Sequence, residues 1–143
     1  MRYWDSSALV PLLVAEQRSS TLVAELERDS TVIAWWGSTV ECVSALARLE
    51  REGSVEPPAT RIALERLDAL EMSWAEVQPS DGVRSLAIRL LRMHALRAGD
   101  ALQLAAALVA AEGHPGSLTF VTLDDRLALA AEREGLAVVA AGA

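Results

Sequence analysis

The chain contains no lysine. All thirteen of its basic residues are arginine, which excludes a phosphate-cradling G-x-x-x-x-G-K-[ST] loop, Schiff-base chemistry and the lysine that receiver-type phosphorylation domains set beside their acidic pocket. Cysteine is almost as scarce. Cys42 stands alone, so there is no internal disulfide and no zinc site built on several thiolates; the thiol reads as a buried core residue. The two histidines, His94 and His114, are too far apart for an H-E-x-x-H zinc helix. Long apolar runs are missing as well: the longest uninterrupted one, residues 104–111, falls far short of the roughly 18 residues that suggest a membrane span, and no membrane association is expected. The opening Met1-Arg2-Tyr3-Trp4-Asp5 puts a carboxylate where an export signal needs an apolar stretch, so the expected location is cytoplasmic. Positive charge is in deficit too, and a net charge of −7 argues against holding nucleic acid by bulk charge alone.

What is present is ample apolar material. With 52% hydrophobic residues in 143, the chain can bury about two-thirds of its unfolded surface around one core, and a single domain spanning residues 1–143 is expected. Tyr3 and Trp4 open a short strand ending at Asp5, and residues 7–16 read as a helix whose Pro11 fits best in a first turn. A second helix covers 18–28, and the β-branched, apolar 31–35 reads as a buried parallel strand. Ser38 starts a third helix that Gly53 stops, and a fourth follows Pro57-Pro58 over 59–72. A brief strand over 74–77 precedes a helix capped by Ser80 and running to about His94. Residues 100–112 form an alanine-rich helix, 118–122 the clearest strand, 125–134 a last helix and 136–139 a final strand. Strands alternating with helices imply an α/β fold: a central parallel sheet of four to five short strands covered by helices on both faces.

Four carboxylates share one kind of position. Asp5 follows the first strand, Glu41 sits in the first turn after the second, Asp100 opens a helix and Asp124 follows strand 118–122. In a parallel sheet the carboxyl ends of the strands and the helix starts after them share one edge, where such folds place their ligand sites. Each acid taken singly is also explained as a helix cap, and Ser38-Thr39-Val40-Glu41 matches the capping-box pattern outright. Taken together, four carboxylates at one edge repel one another unless a cation neutralises them. Hard oxygen ligands without histidine or thiolate suit Mg²⁺ or Mn²⁺.

The segments Trp4-Asp5-Ser6-Ser7-Ala8-Leu9, Ser38-Thr39-Val40-Glu41, Ala98-Gly99-Asp100-Ala101-Leu102-Gln103-Leu104-Ala105 and Val121-Thr122-Leu123-Asp124 occur in that order. Together they resemble a PIN domain, and in size and coverage, from about residue 2 to about residue 139, the VapC toxins of prokaryotic toxin–antitoxin pairs. The resemblance implies that Asp5, Glu41, Asp100 and Asp124 are catalytic, metal-binding carboxylates and that Ser7 and Thr122 are the hydroxyls that orient them. The spacing T-x-D selects Asp124 over the adjacent Asp125. It further implies metal-dependent hydrolysis of RNA phosphodiesters leaving a 5′-phosphate and a 3′-hydroxyl, a cognate protein antitoxin as inhibitor, and a homodimer. The chain departs from the family in lacking lysine and in carrying Pro11 where many relatives have a basic residue. Phosphate grip must then come from arginine; Arg84, Arg89, Arg92 and Arg97 lead towards Asp100, though a solvated helix face is the expected role for them. Trp4, Trp35, Trp36 and Trp74 are expected in the core rather than stacked on bases. The competing function is a catalytically silent RNA-binding or scaffold module of the same fold. Receiver domains are set aside by the missing lysine, and haloacid-dehalogenase-like phosphatases by Asp5-Ser6-Ser7, which lacks their second aspartate.

Overall fold

A computed structural model describes residues 1–140; the last three residues of the expected 1–143 domain lie outside the described ones. The elements follow in the order β1 (Arg2–Trp4), α1 (Ser6–Leu13), α2 (Ser19–Arg28), β2 (Ile33–Trp35), α3 (Ser38–Arg51), α4 (Pro57–Ser73), β3 (Ala75–Val77), α5 (Asp81–Met93), α6 (Ala98–Ala110), a 3₁₀ turn (Pro115–Ser117), β4 (Thr119–Thr122), α7 (Asp125–Arg133) and β5 (Ala137–Ala140). The five strands form one sheet in the order β3-β2-β1-β4-β5, and every pairing is parallel. This matches the expected α/β architecture at its upper strand number.

Period-two alternation along each strand assigns the side chains to two cores. Tyr3, Ile33, Trp35 and Phe120 face α5, α6 and α7, where Leu90, Leu104 and Leu127 are buried among them. Trp4, Ala34 and Val121 face the other way, against Leu9 and Leu13 of α1, Leu22 of α2, Leu46 of α3 and Leu67 of α4. The Tyr3 and Phe120 rings of neighbouring strands stack at 5.4 Å, in the register Tyr3↔Phe120. In α6 the run Ala105, Ala106, Ala107 is fully buried. Side chains of one carbon let that helix lie close on the sheet, which brings its first turn near the strand ends.

Local rules account for most helix ends. The Ser80 hydroxyl caps α5 by accepting Val83 N–H at 3.2 Å, and Gly53 and Gly135 follow α3 and α7 with φ of +79° and +94°, a conformation that glycine adopts without steric cost. Pro11 departs from expectation. It lies in the interior of α1 rather than its first turn, where it forgoes one helical hydrogen bond; α1 ends two residues later, at Leu13. No helix among the described residues is long and apolar enough to cross a membrane.

Candidate active site

Asp5 is fixed from both sides. Its N–H donates to the Val121 carbonyl at 3.1 Å, carrying the β1–β4 pairing one residue past β1. Its carboxylate then caps α1, accepting Ala8 N–H at 3.4 Å and the Ser7 hydroxyl at 2.7 Å. The group is buried and has no ion-pair partner among the described residues. Burial pushes its pKa up to about 7, with the Asp124 charge adding to the rise, while the donors Ser7, Thr122 and Ala8 hold it down. A buried carboxyl this costly to ionise wants a positive charge beside it.

Ser7 and Thr122 tie α1 to the turn after β4. Their hydroxyls lie 3.3 Å apart; Ser7 Oγ accepts Leu123 N–H at 2.9 Å and Thr122 Oγ1 accepts Asp124 N–H at 3.0 Å. Asp124 is in turn the N-cap of α7, its Oδ1 accepting Arg126 N–H at 2.9 Å and Leu127 N–H at 3.0 Å. For Asp5 and Asp124 the capping role and a place in the site thus coincide, because a helix start at the carboxyl edge of the sheet delivers both.

Glu41 is different, and the capping-box match fails. The N-cap of α3 is Gly37, which makes no side-chain cap, and Ser38 is a buried helical residue whose Oγ accepts Gln103 Nε2 at 3.0 Å. Glu41 Oε2 accepts the Ser6 hydroxyl at 2.7 Å and Gln103 Nε2 at 2.7 Å. The Gln103 amide is itself oriented by the Tyr3 hydroxyl, which donates to its Oε1 at 2.6 Å. One side-chain chain, Tyr3–Gln103–Glu41–Ser6, therefore links β1, α6, α3 and α1. Of its four members only Glu41 is expected from the sequence; Tyr3, Gln103 and Ser6 are not. The available signal was an amide placed one helical turn after Asp100 in an otherwise apolar helix, a position that shares the Asp100 face.

Asp100 lies in the first turn of α6 rather than at its cap, which is Arg97. Burial raises its pKa and the Asp124 charge adds to this; a backbone hydrogen bond from Arg97 and the Arg97 charge act in the opposite direction. Gly99 beside it is a close-approach position: a Cβ there would meet Glu41 Oε1 at 3.2 Å. A cavity of about 600 Å³ is lined by Ser6, Ser7, Glu41 and Asp100 and runs along α3 to Arg48. A second, of about 940 Å³, is lined by Gly99, Asp100, Asp124, Arg97 and Arg126. Asp100 belongs to both.

These oxygens fit a hard divalent cation in chemistry and in electrostatics, since the Asp5 and Asp100 carboxyls have raised pKa values and face the Asp124 charge. Among the described residues no three His, Cys, Asp or Glu groups close into a metal cage. Mg²⁺ keeps several waters and is usually held by one or two carboxylates, so an open arrangement suits it. Cys42 takes no part: burial, then the charges of Glu41 and Asp5, push its thiol up to about 12. Three of the four tryptophans are buried as expected; Trp36 is 53% exposed, set edge-on to Trp35.

The PIN-domain family model matches residues 2–133. Ribonuclease VapC35 of Mycobacterium tuberculosis is 36% identical over 148 aligned positions, covering 99% of this chain and 98% of that protein. Among solved structures, Mycobacterium tuberculosis VapC20, described as a sarcin-ricin loop cleaving toxin, superposes with a TM-score of 0.69 at 14% identity over 98% of each chain. FitAcB from Neisseria gonorrhoeae gives 0.63 at 21% over 96% of each, and a toxin–antitoxin complex from Klebsiella pneumoniae gives 0.66 at 14% over 99% of this chain and 98% of that one. These distant structures share the fold, whereas the family match and the VapC35 identity extend through the sequence that builds the carboxylate edge: the chain belongs to the PIN-domain family and, within it, to the VapC-type branch.

Proposed function

We propose that the protein is a divalent-metal-dependent endoribonuclease, the toxin of a type II toxin–antitoxin pair, with Asp5, Glu41, Asp100 and Asp124 as its metal-binding and catalytic carboxylates. The supporting observation is the set of acids around Asp100, which opens onto two cavities and includes a buried carboxyl raised to about 7 with no ion pair of its own. Mg²⁺, or Mn²⁺ in its place, is the proposed ion. When bound, it supplies charge neutralisation for the phosphoryl oxygens and acidifies water near neutral pH.

The chain's own residues do the placing. Ser7 and Thr122 hold Asp5 in one orientation, and the α7 N–H groups do the same for Asp124. Ser6 and Gln103 engage Oε2 of Glu41, leaving Oε1 to face ligand. The anticipated products carry a 5′-phosphate and a 3′-hydroxyl. The same reading takes residues 1–143 as one domain, acting in the cytoplasm as a homodimer and held silent by a cognate protein antitoxin, consistent with relatives solved as toxin–antitoxin complexes.

The deciding experiment incubates purified protein with structured and unstructured RNA in Mg²⁺, in Mn²⁺ and in chelator, beside an Asp100→Asn variant of matched thermal stability. Cleavage that disappears on chelation and in the variant supports the nuclease. Equal cutting by both proteins identifies a contaminant, and no cutting of any RNA under either metal turns the reading to the silent RNA-binding or scaffold module.

A further inference from the structure

The two cavities that meet at Asp100 are lined by acids at their junction and by arginines at their flanks. Arg48 lines the first, two turns along α3 from Glu41, and Arg97 and Arg126 line the second. Five of the other ten arginines are committed elsewhere: Arg2 and Arg28 to Glu25, Arg84 to Asp81 and Arg89 to Glu134, while Arg66 donates to the Leu13 carbonyl. Arg48, Arg97 and Arg126 are exposed and make no salt bridge among the described residues. Glu16 in the first cavity and Asp125 in the second add negative charge beside them.

A chain of net charge −7 with four carboxylates at its centre repels a polyanion as a whole. An RNA strand crossing that centre therefore needs local cation contacts on both sides of it, and these three arginines stand there. We propose that Arg48 on one side of Asp100, and Arg97 with Arg126 on the other, bind backbone phosphates of a single RNA strand and set its path across the carboxylates. This rests on the ribonuclease reading for the identity of the polyanion. The guanidinium fork suits phosphate oxygens and carries no base information, so these residues position substrate without selecting its sequence.

The test is binding of a fluorescent single-stranded RNA in chelator, titrated over salt, for the wild type, Arg48→Ala, Arg97→Ala, Arg126→Ala and Arg133→Ala. Arg133 is exposed at the far end of α7 and lines neither cavity, so its variant reports the loss of one bulk charge. Each of the first three variants should bind more weakly and lower the slope of log K against log salt by about 0.7; Arg133→Ala should leave the slope unchanged. In Mg²⁺ Arg48→Ala and Arg126→Ala should raise KM with kcat held, while Arg97→Ala, which also removes the charge acting on Asp100, should raise KM and lower kcat. Wild-type protein that binds no RNA in chelator, or three variants that behave like Arg133→Ala, would overturn the track. Cleavage by the wild type in Mg²⁺ with unchanged KM in the variants sinks the track and keeps the nuclease, whereas arginine-dependent binding without any cleavage does the reverse.

Discussion

Asp5 shows at the scale of one residue how a site is made at the expense of stability. In the folded chain its carboxyl titrates at about 7 instead of the ordinary 3.8. Between those values the native state holds a proton that the unfolded state has released, so stability falls as pH rises through that window, and the full penalty, of order 4 kcal/mol, is present above it. Thermal melts of the metal-free protein should thus show Tm declining from pH 5 to pH 8. Asp5→Asn keeps an oxygen for the Ser7 hydroxyl and Ala8 N–H while removing the charge; its melt should decline less steeply over the same range, Asp100 with its own raised pKa supplying the remainder, with Tm higher by several degrees at pH 8 and RNA cleavage abolished. A wild-type Tm that stays level, or a variant that declines in parallel, would contradict this. Gln103 is the second residue-scale case. Gln103→Leu strips Glu41 of one donor and leaves the Tyr3 and Ser38 hydroxyls buried without it, a loss of about 2 kcal/mol by chemical denaturation. Tyr3→Phe removes only the group that orients the amide, and should cost about 1 kcal/mol by the same measurement.

At the scale of elements, the first turn of α6 is where packing and propensity pull apart. Helix propensity favours Gly99→Ala by up to about 1 kcal/mol, yet the added methyl would crowd Glu41 Oε1. We expect Gly99→Ala to keep or raise Tm while cleavage falls about tenfold, since small displacements of a reacting group are costly; unchanged turnover would show that Glu41 gives way freely. The start of α7 makes the converse comparison. Asp124→Ala should lose about 1 kcal/mol of stability with the cap and all activity, while Asp125→Ala, at an exposed position without a cap bond, should alter stability by less than about 0.5 kcal/mol and leave turnover intact. Most elements were readable from periodicity and from Gly and Ser punctuation: Ser80 does cap α5, and Gly53 and Gly135 do end α3 and α7. The failures were local matches that tertiary contacts outvoted. Ser38 and Glu41 fit a capping box by spacing, but both point their oxygens at Gln103, more than sixty residues away in sequence. Local rules put Pro11 in a first turn because a lone helix disfavours it inside, yet α1 holds it buried in its interior.

For the whole molecule, the proposed ion and the fold should stabilise each other. A cation that binds only the native carboxylates adds stability by mass action, so Mg²⁺ or Mn²⁺ at saturating concentration should raise Tm at pH 8, chelator should return it, and Asp5→Asn should show little response to either. A metal-induced rise of equal size in that variant would place the binding elsewhere. The sequence by itself determined the alternation of strand and helix, hence the parallel sheet with two covered faces, and it determined that Asp5, Asp100 and Asp124 stand just beyond strand ends or in first helical turns, because strand periodicity and helix punctuation are properties of neighbouring residues. Only the tertiary structure decided the strand order β3-β2-β1-β4-β5, the recruitment of Tyr3, Ser6 and Gln103 around Glu41, the exposure of Trp36 and the meeting of two cavities at Asp100. Those depend on which side chains fill the space between elements distant along the chain, and close packing settles that for all of them at once.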